Sequence, residues 1–212
     1  MTDERTPLKA LFAALATFGC DASAPEHTQP STWPAAIEAA LDRAYGPSGV
    51  GVANPDPDGV PEYVYWIAQR DHVVYVTRGA YRREFPHEFV MRVSLADAPR
   101  DERLWEVAPE WPSRALAEIA RVEPTLRRPL APGNYLRNVT VEGLPLRHFA
   151  FVTDPVLGMQ RIPGATQPLV FIQVVPLTDA QLSTIDAIPT GAANTVLRDW
   201  AARDPLLIVD AR

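Results

Sequence analysis

The groups in this sequence that could do acid–base, nucleophilic or metal chemistry are four histidines, one cysteine and a scatter of carboxylates. His27, His72, His87 and His148 stand singly. A zinc site needs about three or four ligands, commonly paired within about five residues of each other. Neither a G-x-S-x-G nucleophile elbow nor a G-x-x-x-x-G-K phosphate loop occurs. Asn54, Asp56 and Asp58 alternate like the start of a calcium loop, but Pro55 and Pro57 interrupt them and no glutamate follows at the required position. A turn is expected there instead. The pairs Asp56 with Asp58 and Asp101 with Glu102 fall in loops, where solvated surface accounts for them. The expectation is therefore a protein that is not an enzyme and has no metal and no cofactor. A hydrolase with dispersed acidic residues is the less favoured alternative.

One short segment has a different character. Residues 78–85 (RGAYRREF) place two aromatics and three arginines between two strand-like runs. Tyrosine and arginine are enriched where binding energy concentrates, the aromatic ring supplying area and the guanidinium a bidentate grip on carboxylates. Arg78, Tyr81, Arg82, Arg83 and Phe85 are the candidate partner-binding residues. A strand end beside them would add unpaired backbone groups.

The elements that must position this segment follow from periodicity. Residues 33–45 (WPAAIEAALDRAY) read as a helix capped by Ser31 or Thr32, with Pro34 in its first turn, Ile37, Ala40, Leu41 and Ala44 as the buried stripe, and Gly46-Pro47 as the stop. Residues 49–61 read as loop. The runs 63–68 (YVYWIA) and 72–77 (HVVYVT), separated by Gln69-Arg70-Asp71, predict a hairpin. Residues 88–95 (EFVMRVSL) put Phe89, Met91, Val93 and Leu95 on one face and Glu88, Arg92 and Ser94 on the other, which predicts a half-buried antiparallel strand.

Residues 112–122 predict an amphipathic helix with Arg114 and Glu118 paired on its wet face. Short strands are expected at 135–141 and 149–152. The continuous apolar run 168–175 (PLVFIQVV) suits a sheet centre closed by Pro176. Thr178 should cap a helix reaching Ile188, with Asp179 in the first turn where the helix dipole favours negative charge. A helix over 193–202 and a closing strand over 206–209 complete the chain. Trp66, Trp105, Trp111 and Trp200 are expected to pack at the core or its edge.

Composition bounds the class. The chain has 212 residues, 47% of them hydrophobic, enough for a sizeable core without disulfides. Its net charge of -6, with lysine only at Lys9, argues against a nucleic-acid surface, which needs clustered cations to displace counterions. The 22 prolines punctuate many short elements. No later segment has the apolar length of a bilayer span, so a membrane partner is not expected.

The single Cys20 excludes an internal disulfide and suits a reducing cytoplasm. Residues 8–18 followed by Gly19-Cys20 partly match a lipoprotein leader. However, Asp3 and Glu4 stand where such a leader is basic, and Thr17 and Phe18 where it needs small residues and an upstream leucine. Leu8, Leu11, Phe12, Leu15 and Phe18 recur at helical spacing, so an amphipathic helix packing on the domain is expected, with a lipoprotein anchored through Cys20 as the alternative. The division expected is an N-terminal helix and polar linker over 1–32 and a single domain over 33–212.

Six segments in order resemble the Suppressor of fused family. They are Val76-Thr77-Arg78-Gly79, the strand His87 to Val93, Ala108-Pro109-Glu110-Trp111-Pro112 leading to Leu116, Ala120 and Arg121, and Thr153-Asp154-Pro155-Val156-Leu157-Gly158. The last two are Phe171-Ile172-Gln173-Val174-Val175 with Thr178, Asp179 and Leu182, and Asp204-Pro205-Leu206-Leu207-Ile208-Val209-Asp210. Arg78 replaces the usual aromatic, no acid precedes Leu182, and residues 80–85 are compressed against a longer insertion that contributes to partner binding in animal members.

The resemblance implies an α+β fold, a mixed and mostly antiparallel sheet with packed helices, that captures a protein partner. Animal members do so with a zinc-finger transcription factor. Bacterial members are thought to serve as immunity proteins that neutralise polymorphic toxins, and the chain, at the size of the conserved domain, fits these better. A general cytoplasmic adaptor or scaffold is the alternative.

Overall fold

The structure, a computed structural model, describes residues 32–46, 50–53, 61–80, 85–94, 108–141, 144, 146–162, 164–188 and 193–209. The helix expected over 8–18 and Cys20 lie outside the described residues, as do His27 and Trp105. Helix α1 (Thr32–Tyr45) is followed by β1 (Val50–Ala53), β2 (Tyr63–Ala68), β3 (His72–Arg78), β4 (His87–Ser94) and α2 (Trp111–Val122). Then come β5 (Tyr135–Leu136), β6 (His148–Thr153), β7 (Met159–Gln160), β8 (Leu169–Leu177), α3 (Asp179–Asp186) and α4 (Ala193–Arg203). The strands form one eight-stranded sheet ordered β1-β2-β3-β4-β8-β6-β5, with β7 also paired to β8. Neighbours are antiparallel except β4 and β8, which run parallel with His87 opposite Val170. The architecture is α+β, as expected.

Both faces of the sheet are covered. Strand alternation sends Val73, Tyr75, Phe89, Met91, Phe149, Phe151, Ile172 and Val174 to one face, where Ala115, Leu116, Ile119 and Ala120 of α2 close a core. On the other face, Ile37 and Leu41 of α1 cover Tyr65, Val74, Val90 and Phe171. Leu182 and Ile185 of α3 and Leu197 of α4 cover Ala150, Val175 and Leu177. Trp66, Trp111 and Trp200 pack partly buried against these clusters.

This double coverage overturns one expectation. β4 is not half-buried: Glu88 and Arg92, read as wet, are 0% exposed because α1 covers their face. It also pairs with β8 in parallel rather than only antiparallel.

Other differences have local causes. The segment 49–61, read as loop, contributes β1, which pairs Val50 with Ile67. The strand expected over 135–141 stops at Leu136, and Asn138 takes a φ of 57° that no strand accommodates. The closing strand shrinks to a single parallel bridge from Val209 to Val93. Leu207 adopts a φ of 47°, and the Gln173 amide donates to the carbonyls of Leu206 and Leu207 at 2.6 and 3.1 Å. Pro176 does not end β8, which runs to Leu177. Asp154 N–H donates to the Phe171 carbonyl, so by alternation Pro176 turns its missing donor away from β6. Arg114 pairs with Glu110 rather than Glu118, and Glu118 pairs with Arg121.

Candidate partner-binding site

Arg78 ends β3 opposite Tyr63. Its guanidinium lies 5.7 Å from the centre of the Tyr63 ring, donates to Tyr65 Oη at 3.1 Å and stands 3.9 Å from Glu38 of α1. With its side chain only 14% exposed, Arg78 ties the helix to the sheet. Burial pushes the Tyr65 phenol up to about 12, against the opposing effect of Arg78, and raises Glu38 despite the same cation.

The chain then reverses at Gly79, whose φ of 90° favours glycine and where a Cβ would meet Glu62 Cγ at 2.9 Å. The amides of Gly79 and Ala80 donate to the Glu88 carboxylate at 2.9 and 3.2 Å, and Thr77 Oγ1 donates to it at 2.6 Å. Thr77 Oγ1 in turn accepts from Phe89 N–H. A buried carboxylate thus gathers the root of the segment. Burial pushes the Glu88 carboxyl up to about 7, and the three donors oppose that rise.

Tyr81, Arg82 and Arg83 lie outside the described residues. At the far root, Phe85 is half-buried on the α2 core, its ring 5.4 Å from that of His87. The Phe85 carbonyl accepts from His87 Nδ1 at 2.7 Å, and Glu123 accepts from Nε2 at 2.9 Å. Both ring nitrogens therefore face acceptors, which a doubly protonated imidazolium satisfies. Burial works against that cation, but the Glu123 hydrogen bond and charge outweigh it and the His87 pKa rises. Glu123 also accepts from Leu130 N–H at 2.8 Å.

A second segment reaches the same end of the sheet. The pairings His87 with Val170 and Thr153 with Ile172 bring the start of β4 and the end of β6 to the start of β8. After Thr153 the chain turns on Asp154, which is 1% exposed and accepts Arg92 in two hydrogen bonds, Nη2 to Oδ1 at 3.1 Å. Asp154 also accepts from the amides of Val156 and Leu157 at 3.0 and 2.7 Å, and Arg92 donates to Tyr45 of α1 at 2.8 Å. Leu157 packs inward, whereas Val156 is 43% and Met159 66% exposed. The turn is held from beneath and presents two apolar side chains to solvent.

The sequence pattern did not point to this buried ion pair, because 62 residues separate its members. The available signal was Asp154 in its D-P-x-L setting, where an acidic side chain caps its own turn.

His72 and His148 are tied into the fold. His72 Nδ1 is 2.6 Å from Asp71, while His148 donates from Nε2 to Asp179 and accepts Asn138 N–H. Among the described residues, no three His, Cys, Asp or Glu side chains gather as a metal site. Nor is any described helix long and apolar enough to cross a membrane.

No family profile matches the chain, and no curated protein does. Solved structures do match. The chain aligns with one from the Sufu–Fu complex at a TM-score of 0.64 and 16% identity, over 86% of this chain and 91% of that one. It aligns with Drosophila Suppressor of fused at 0.61 and 17% identity, over 87% of this chain but only 52% of that one, about half its length. The chain has a Suppressor of fused-like fold.

Proposed function

We propose that this chain is a non-enzymatic protein-binding domain, and that it acts as a bacterial, cytoplasmic immunity protein that neutralises a polymorphic toxin by direct binding. The observation that carries the binding role is the rigid turn over residues 154–158. It displays Val156 and, just beyond it, Met159 at the sheet end where the 78–85 segment is rooted. A backbone turn already held in place loses little conformational freedom on docking, which favours affinity. A related fold has been crystallised as the Sufu–Fu complex, which supports a protein as the partner. The net charge of -6 favours a basic partner, since complementary charge speeds encounter and selects among partners.

In this reading Tyr81, Arg82 and Arg83 supply the outward contacts, while Arg78 and Phe85 set the roots of the segment. The test is co-purification with the product of a neighbouring toxin gene, followed by titration calorimetry of the complex. Tyr81→Ala with Arg82→Ala is expected to weaken binding by about 2 kcal/mol or more, the usual hot-spot threshold, with folding stability unchanged. Unchanged affinity in the folded double variant removes the 78–85 surface from the site. Capture of an endogenous partner with no toxin gene nearby replaces the immunity role with an adaptor role.

A further inference from the structure

Between α4 and the end of β6 the surface opens into a cavity of about 300 Å³. Its walls include Pro132, Val152, Leu197, Ala201 and Leu207, all apolar, and its one charged lining residue is Arg198. Arg198 is exposed and has no hydrogen-bond or ion-pair partner among the described residues. Asp199 follows it in α4, and two carboxylates of the adjoining segments are engaged otherwise. Asp204 accepts the amides of Leu206 and Ile208 at 3.2 and 2.9 Å, and Asp154 is spent on Arg92 and its own turn.

A second observation concerns the wall itself. Leu207 sits at a φ of 47°, a left-handed conformation that a leucine rarely adopts. Gln173 holds it there through its carbonyl, and the side chain stays 7% exposed against the α4 core. Strain that shapes a concave apolar wall beside an unpaired cation is the kind found at binding sites.

We infer that this cavity binds a segment of a protein partner in which one large apolar side chain stands next to an aspartate or glutamate. The apolar side chain fills the cavity, and the neighbouring carboxylate takes the two parallel N–H donors of Arg198. In a protein of net charge -6, an arginine without an ion-pair partner among the described residues, beside an apolar hole, discriminates locally: it fixes the register of the bound segment, while the overall charge steers the partner as a whole. The inference rests on the protein-binding reading; the cavity shares Pro155 with the 154–158 turn but none of residues 78–85.

Short fluorescein-labelled peptides in a Gly-Ser frame test it, differing only at two adjacent central positions: Phe-Glu, Leu-Glu, Phe-Lys or Ala-Glu. In the full chain with methyl and nitrogen labels, the Phe-Glu and Leu-Glu peptides are expected to shift the methyl signals of Val152, Leu197 and Leu207 and the Nε–H signal of Arg198. The Phe-Lys and Ala-Glu peptides should bind at least about tenfold more weakly. Arg198→Glu should reverse the preference toward Phe-Lys, and Ala201→Phe, which fills the cavity, should abolish all binding. Arg198 is exposed, so its substitution remains informative even where Ala201→Phe disturbs folding.

Equal binding of Phe-Glu and Phe-Lys, shifts confined to other surfaces, or none with about 1 mM peptide would overturn the assignment. If the Tyr81 and Arg82 double variant still loses its partner in that case, the binding role stands and only this cavity is rejected.

Discussion

Glu88 and the Arg92–Asp154 pair hold their ionisable groups where water does not reach them, as His87 and Glu123 do. The Glu88 carboxyl rises from 4.5 to about 7 on folding. Between those values the folded chain binds the proton that the unfolded chain has released, so stability falls as pH rises through this window. The contribution is largest below pH 4.5 and is lost, to the extent of about 3 kcal/mol, by the time pH passes 7. Denaturant titrations of the native chain and of Glu88→Gln across this range should show that slope in the difference between them, and a flat difference would exclude it. For the ion pair, Asp154→Ala strands a buried guanidinium and is expected to cost about 3–5 kcal/mol. Arg92→Met combined with Asp154→Ala should cost much less than the sum of the single changes. A double-mutant cycle with no coupling energy would show that the pair is not held as described.

At the scale of elements, two chain reversals carry distinct physical requirements. Thr178 accepts the Gln181 amide while the Gln181 side chain accepts the Thr178 amide, a reciprocal cap that starts α3. Thr178→Ala is expected to cost about 1 kcal/mol, read as a lower urea midpoint with an unchanged slope. Gly79 works differently, since its φ of 90° and the nearby Glu62 leave no room for a Cβ. Gly79→Ala should therefore destabilise the chain and release the amides that reach Glu88, which faster hydrogen exchange at Gly79 and Ala80 would register. Both reversals lie in segments singled out by sequence, but only Thr178 had a readable reason there. The glycine's requirement comes from Glu62, which approaches only once β2 and β3 have paired.

Over the whole molecule, helices on both faces turn the sheet into the middle layer of three, and β8 lies at its centre, with Leu169 to Leu177 all buried. Phe171 is 0% exposed beneath α1. Phe171→Ala is expected to destabilise the fold by about 3–5 kcal/mol through the cavity it leaves, seen in thermal or denaturant unfolding. It should weaken partner binding only through loss of folded chain, in contrast to Tyr81→Ala with Arg82→Ala. A folded, fully stable Phe171→Ala variant would contradict the central place given to β8.

What the sequence by itself determined is most of the elements: β-branched and aromatic runs marked β2 and β3, alternation marked β4, helical spacing marked α1 and α2, the Thr178 cap marked α3, and the unbroken apolar run marked β8 as central. These are local properties, set by which side chains a strand or helix can turn to one side. Only the tertiary structure decided which faces are wet. A strand alternating Phe, Met and Val with Glu and Arg reads as half-exposed until α1 lands on its polar side. There Glu88 finds the amides of Gly79 and Ala80, and Arg92 finds Asp154 from 62 residues away. The parallel pairing of β4 with β8, the exposed apolar pair Val156 and Met159, and the cavity beside Arg198 likewise depend on segments distant in the chain. A buried charge is stable only where its partners are brought to it, and that is a property of the assembled layers rather than of any stretch of sequence.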